Sequence, residues 1–111
     1  MVVINPEYFV FDFSVEGQDQ EGNPVTPVHG NGTDKYVVSV KALSWDGSLW
    51  MKYVSANVIF SDGRPEEQLI LVRGKEGSIE VSSSSAQTLC MTLEDTSSGD
   101  SYQKSVLLEF V

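Results

Sequence analysis

Between Ser78 and Val111 the chain carries three short alternating segments in succession. Ile79 and Val81, then Leu89, Met91 and Leu93, then Val106, Leu108 and Phe110 recur at every second position. A period of two places each set on one face of a strand. Ser, Thr, Gly and Asp fill the breaks. Strands this short and this closely spaced encode an all-β sandwich. No stretch of ten or more residues keeps a helical period.

The rest of the chain fits the same scheme. Over residues 8–15, Phe9, Phe11, Phe13 and Val15 share one face. Residues 35–44 alternate Tyr36, Val38, Val40 and Ala42 with Val37, Ser39, Lys41 and Leu43, and end at the turn signal Asp46-Gly47. Residues 55–61 put Ala56, Val58 and Phe60 on one face and close at Asp62-Gly63-Arg64-Pro65. Residues 68–73 hold Leu69, Ile70, Leu71 and Val72 together, the pattern of a strand covered on both sides. Residues 49–53 are a short strand or an extended arm. Residues 16–34 hold four glycines and two prolines and read as a long loop. A short edge strand over 25–28 would have its pairing blunted by Pro24 and Pro27. The expected core adds Phe9, Phe11, Phe13, Tyr36, Val38, Val40, Val58, Phe60, Leu69 and Leu71 to the eight residues of the last three strands.

At 111 residues the chain is the size of one domain. Such a domain hides roughly two-thirds of its extended-chain surface, enough for one core. Sixteen acidic against seven basic residues give a net charge of −9. That balance opposes phosphate backbones and anionic lipid, so nucleic-acid and membrane-surface binding are not expected. No run approaches the ~20 apolar residues of a membrane span. Met1 to Pro6 lacks the basic and apolar regions of a signal peptide. Cys90 is the single cysteine, so no intrachain disulfide forms and stapled secreted scaffolds are excluded.

Several segments together resemble a bacterial immunoglobulin-like domain of the intimin/invasin type. They are Tyr36-Val37-Val38-Ser39-Val40-Lys41-Ala42, the Asp46-Gly47 turn, Asn57-Val58-Ile59-Phe60-Ser61, Gly77-Ser78-Ile79-Glu80-Val81-Ser82, Ala86-Gln87-Thr88-Leu89 and Ser105-Val106-Leu107-Leu108-Glu109-Phe110. The similarity spans residues 35–111. Gly22-Asn23-Pro24-Val25 precedes the strand it follows in that family, and Trp45-Asp46-Gly47-Ser48-Leu49-Trp50 occupies its slot. The resemblance implies a Greek-key sandwich serving as a stalk or tip module of a surface or secreted adhesin.

Candidate chemistry is sparse. Cys90 sits in the second-to-last strand, on the face opposite Leu89, Met91 and Leu93. His29, the only histidine, lies in the long loop. Nothing in the sequence places the two together as a nucleophilic pair. They read as a structural thiol and a solvated loop histidine. Asp19, Glu21, Asp34, Asp95 and Asp100 are loop carboxylates without a calcium-loop pattern, and they read as solvation. Asn31-Gly32-Thr33 matches a glycosylation sequon that is idle in a bacterial source. The sharper candidates are Trp45, Asp46, Trp50 and Tyr53. Two tryptophans flanking a turn form an aromatic platform, or one of them packs on the core and the other caps the sandwich end.

The expectation is a single immunoglobulin-like Greek-key β-sandwich over residues 1–111, with seven to nine strands. Its expected function is a non-enzymatic binding or spacer module of a bacterial surface or secreted adhesin-like protein. Contacts come from loops or an edge strand to a host or bacterial protein or glycan, and neighbouring domains belong to the same longer chain. No cofactor or metal is expected. The alternative is an Ig-like structural module of a phage virion or tail; a small hydrolase is a third class.

Overall fold

The alternating segments sort into two layers. The computed structural model describes residues 9–97 and 102–111. Its strands are β1 (Phe9–Gln18), β2 (Lys35–Ser44), β3 (Val54–Phe60), β4 (Glu67–Leu71), β5 (Gly77–Ser82), β6 (Gln87–Asp95) and β7 (Gln103–Phe110). One sheet has the order β1-β2-β5 and the other β4-β3-β6-β7. Every pairing is antiparallel. The chain changes sheet between β2 and β3, between β4 and β5, and between β5 and β6. The result is an immunoglobulin-like Greek-key sandwich of seven strands, with no helix among the described residues. In the constant-type arrangement the fourth strand joins the first sheet. Here β4 pairs with β3, in register from Val54 opposite Leu71 to Val58 opposite Glu67, so the layers divide three and four.

The inward faces fill the space between the sheets. Phe11, Val38, Val40, Val58, Leu89, Met91 and Leu93 are completely buried. Of the expected core residues, Phe13, Tyr36 and Val106 are only partly buried and pack against it. Val28, Ala42, Trp50, Val54 and Ala56 belong to the core as well.

Three local expectations are corrected, and of the two readings of residues 49–53 the extended arm is the one found. β1 runs on to Gln18, paired with Lys35, rather than stopping at residue 15, while its expected start at Tyr8 lies outside the described residues. Its inward face also runs off the facing sheet. Phe9 and Phe11 lie against Tyr102, Phe13 has the Lys104 ammonium 5.7 Å from its ring, and Val15 is 41% exposed. Residues 25–28 form no strand, because Pro24 and Pro27 withhold ladder donors; one bridge joins Gln18 to Pro24. Residues 49–53 hold a single bridge, Leu43 to Leu49. β4 is an edge strand covered on one side only: Leu69 and Leu71 are buried, but Ile70 and Val72 face solvent.

Candidate functional site

The sandwich has two unlike ends. One end collects the start of β1, residues 45–53 between β2 and β3, residues 72–76 between β4 and β5, and the ends of β6 and β7 nearest Tyr102. It is built from the turn after β2 outward. Gly47 N–H donates to Ser44 O at 3.0 Å and Ser44 N–H to Ser48 O at 2.7 Å. Gly47 takes φ 87°, a left-handed conformation that glycine adopts without a steric penalty. Asp46 Oδ1 accepts from Ser48 N at 3.0 Å and Ser48 Oγ at 2.6 Å, closing the turn from its side chain. The Ser48 hydroxyl, and then the Ser48 amide, hold the Asp46 carboxyl below its ordinary range. A locked turn projects Trp45 outward, where it is 58% exposed.

The chain then folds back. Trp50 N–H donates to Ala42 O at 2.9 Å, which turns the Trp50 side chain inward. The indole is 8% exposed, 5.5 Å from the Phe9 ring, with the Lys52 ammonium 5.5 Å above it. Trp50 therefore closes the end of the core and leaves the surface platform. Leu49, Met51 and Tyr53 point out on either side of it, Met51 at 62% and Tyr53 at 60% exposure.

The turn after β4 packs against this segment. Lys75 N–H donates to Val72 O at 2.9 Å. A Cβ at Gly74 would stand 2.9 Å from Met51 Sδ, so the two loops lie in direct contact there. Val72, Arg73 and Lys75 are exposed beside Met51. The surface at this end is thus Trp45, Leu49, Met51, Tyr53 and Val72, with the cations Lys52, Arg73 and Lys75 and the carboxylates Asp46 and Glu76 around them. The sequence brings Trp45, Asp46 and Tyr53 to it and sends Trp50 into the core. Val72, Arg73 and Lys75 went unrecognised, because contact between successive interstrand loops is not written in periodicity; the signal was the Arg-Gly-Lys step directly after a strand.

Of the other described candidates His29 and Asp34 meet, while Cys90 and the remaining loop acids stay apart from them. His29 Nδ1 lies 3.2 Å from Asp34 Oδ2, and the same oxygen accepts the His29 amide at 3.1 Å. Cys90 is half-buried on the outward face of β6, its sulfur 3.8 Å from Thr92 Oγ1. The loop acids are engaged in turns. Asp19 Oδ1 accepts from Glu21 and Asn23 amides, and Asp95 Oδ1 from the Ser97 amide and hydroxyl. Each closes its own loop, as Asp46 does. Asp100 lies outside the described residues. Among the described residues no group of three or more His, Cys, Asp or Glu stands together as a metal site.

No protein-family model matches the chain, and neither a curated protein nor a solved structure does.

Proposed function

We propose that the chain is a non-enzymatic binding or spacer module of a bacterial surface or secreted adhesin-like protein, of the intimin/invasin type it resembles. The observation that carries this reading is the concentration of Trp45, Leu49, Met51 and Tyr53 outward on one end of the sandwich. Tryptophan, tyrosine, methionine and arginine are the side chains enriched where proteins meet, and large aromatics there supply most of the binding energy. Strand direction supports the same reading. β1 begins at this end and β7 finishes at the other, so the chain passes through the module along its length.

The test is a labelled chain probed against arrays of host and bacterial surface proteins and glycans, beside a Trp45→Ser/Tyr53→Ser variant. Binding that the variant loses, at an unchanged melting temperature, is the expected result. Binding that survives the double substitution overturns the assignment of this end. Turnover of peptide, ester or glycoside substrates by the purified chain overturns the non-enzymatic reading.

A further inference from the structure

The aromatic end carries a second signal, independent of its apolar side chains. Arg73 has φ 37° and Gly74 follows at φ 75°. Side chains other than Asn and Asp seldom adopt this left-handed region, and glycine would fit it without strain. Both residues are the centre of the four-residue turn that the Lys75 N–H to Val72 O bond closes, a turn type that requires positive φ at both positions, and Arg73 stands exposed at its tip. Arg73 and Lys75 form no ion pair among the described residues.

The opposite end is dominated by carboxylates. Glu16, Asp19, Glu21, Glu66, Glu67 and Glu109 gather there, around the loops that follow β1 and β3 and the close of β7. Its two cations are engaged within the fold, Lys35 with Glu80 at 3.0 Å and Arg64 with Asp62 at 2.7 Å. Pro24, Pro27, Pro65 and Val111 are exposed among the acids and offer aromatic rings an apolar surface.

We infer that the aromatic end docks on the acidic end of a second copy of this chain, head to tail. Arg73 and Lys75 meet the carboxylates, while Trp45, Met51 and Tyr53 cover the prolines. The inference rests on the reading of the chain as a contact-making module and names its partner. Charge complementarity selects that partner, since Lys52, Arg73 and Lys75 outnumber the exposed Asp46 and Glu76 carboxylates beside the aromatic cluster, while carboxylates prevail at the opposite end. Contact between unlike ends of identical units propagates rather than closes. It also runs along the direction of the chain, so consecutive modules in one polypeptide would meet through the same surfaces.

The test is sedimentation of the purified chain over a range of concentration and salt. The average mass should rise with concentration at low salt and fall back to the monomer by about 0.5 M NaCl. Arg73→Glu/Lys75→Glu and Glu66→Lys/Glu67→Lys should each remain monomeric alone. Mixed together they should associate again, because each supplies the charge that the other's reversed end requires. A wild-type chain that stays monomeric at low salt overturns the inference, as does association that either reversal leaves intact. Arg73→Gly keeps the inference testable if the reversals fold poorly. It should weaken association while leaving the melting temperature unchanged or raised, and undiminished association in that variant counts against a docking role for Arg73. Array binding lost in Trp45→Ser/Tyr53→Ser without self-association would remove this inference and leave the module reading standing.

Discussion

Two tryptophans five positions apart do opposite things, and the difference is measurable. Trp50 is buried against Phe9, so Trp50→Ala opens a cavity at the end of the core and should cost about 3–5 kcal/mol. Trp45 leaves most of its surface in water, and Trp45→Ala should change stability by no more than about 0.5 kcal/mol. Urea unfolding of the two variants checks both values; equal costs would contradict the division between core and surface. Asp62 gives a pH dependence of known sign. Arg64 Nε donates to both its oxygens at 3.0 Å and Nη2 to one of them at 2.7 Å, drawing the carboxyl from 3.8 to about 2. Above pH 3.8 the group is ionised in both folded and unfolded chains, and its stabilisation is complete. As pH falls from there toward about 2, the unfolded chain takes up the proton first and the stabilisation is lost. Asp62→Asn should flatten the melting-temperature profile across that window. A variant profile parallel to the wild type would show that the pair contributes nothing to acid sensitivity.

At the scale of elements, the long loop between β1 and β2 behaves as a structural segment. Val28 is buried in the core, its carbonyl accepts the Val111 amide at 3.0 Å, and the Gly30 amide donates to Val111 O at 3.0 Å. The segment thereby pairs with the chain at Val111, just past the end of β7, and the Tyr36 hydroxyl covers the Glu109 carbonyl within β7. Gly30 lies so close to the Ser85 carbonyl that any Cβ would collide with backbone. Gly30→Ala should cost about 1–3 kcal/mol and speed exchange of the Val111 amide. Protection of that amide equal to the wild type would contradict the pairing. The β1 edge is blocked from β7 in the same manner, by Tyr102 Oη accepting the Phe11 amide at 3.2 Å and Lys104 Nζ donating to Phe11 O at 2.8 Å. These devices explain what could and could not be read from the sequence. Strands with one wet face, such as residues 35–44 and 87–93, announce themselves by alternation, because burial on one side imposes the period. Val28 and Trp50 sit in segments without a period, and their burial depends on which backbone groups across the fold need partners. β4 misled for the converse reason: Ile70 and Val72 are apolar yet exposed, and no pattern within five residues distinguishes a second covered face from a contact surface. The same limit hid Arg73 and Lys75, whose place beside Met51 depends on two loops meeting across the end of the sandwich.

The whole molecule is polar along its strands, and that polarity has a mechanical consequence. β1 enters beside Trp45 and Tyr53, and β7 leaves beside Val28 and the carboxylates, so neither sheet returns the chain to its starting end. Two copies joined in one polypeptide must therefore extend along a common axis unless the junction folds back. Small-angle scattering of such a fusion should show a longest dimension roughly double that of one copy. The charge distribution adds a second expectation. Carboxylates on the first copy meet Arg73 and Lys75 of the next only at the junction, where opposite charges within a Debye length attract in dilute salt and lose that attraction as salt rises. The pair should then scatter as a stiff rod at low ionic strength and as two jointed units at high ionic strength, with each unit's own melting temperature little changed. Arg73→Glu/Lys75→Glu in the second copy should give the jointed form at every salt concentration. A fusion that is compact at low salt would show that the junction folds back and that the facing ends do not meet. One whose stiffness ignores both salt and charge reversal would place the junction's rigidity in the linking residues instead of the facing surfaces.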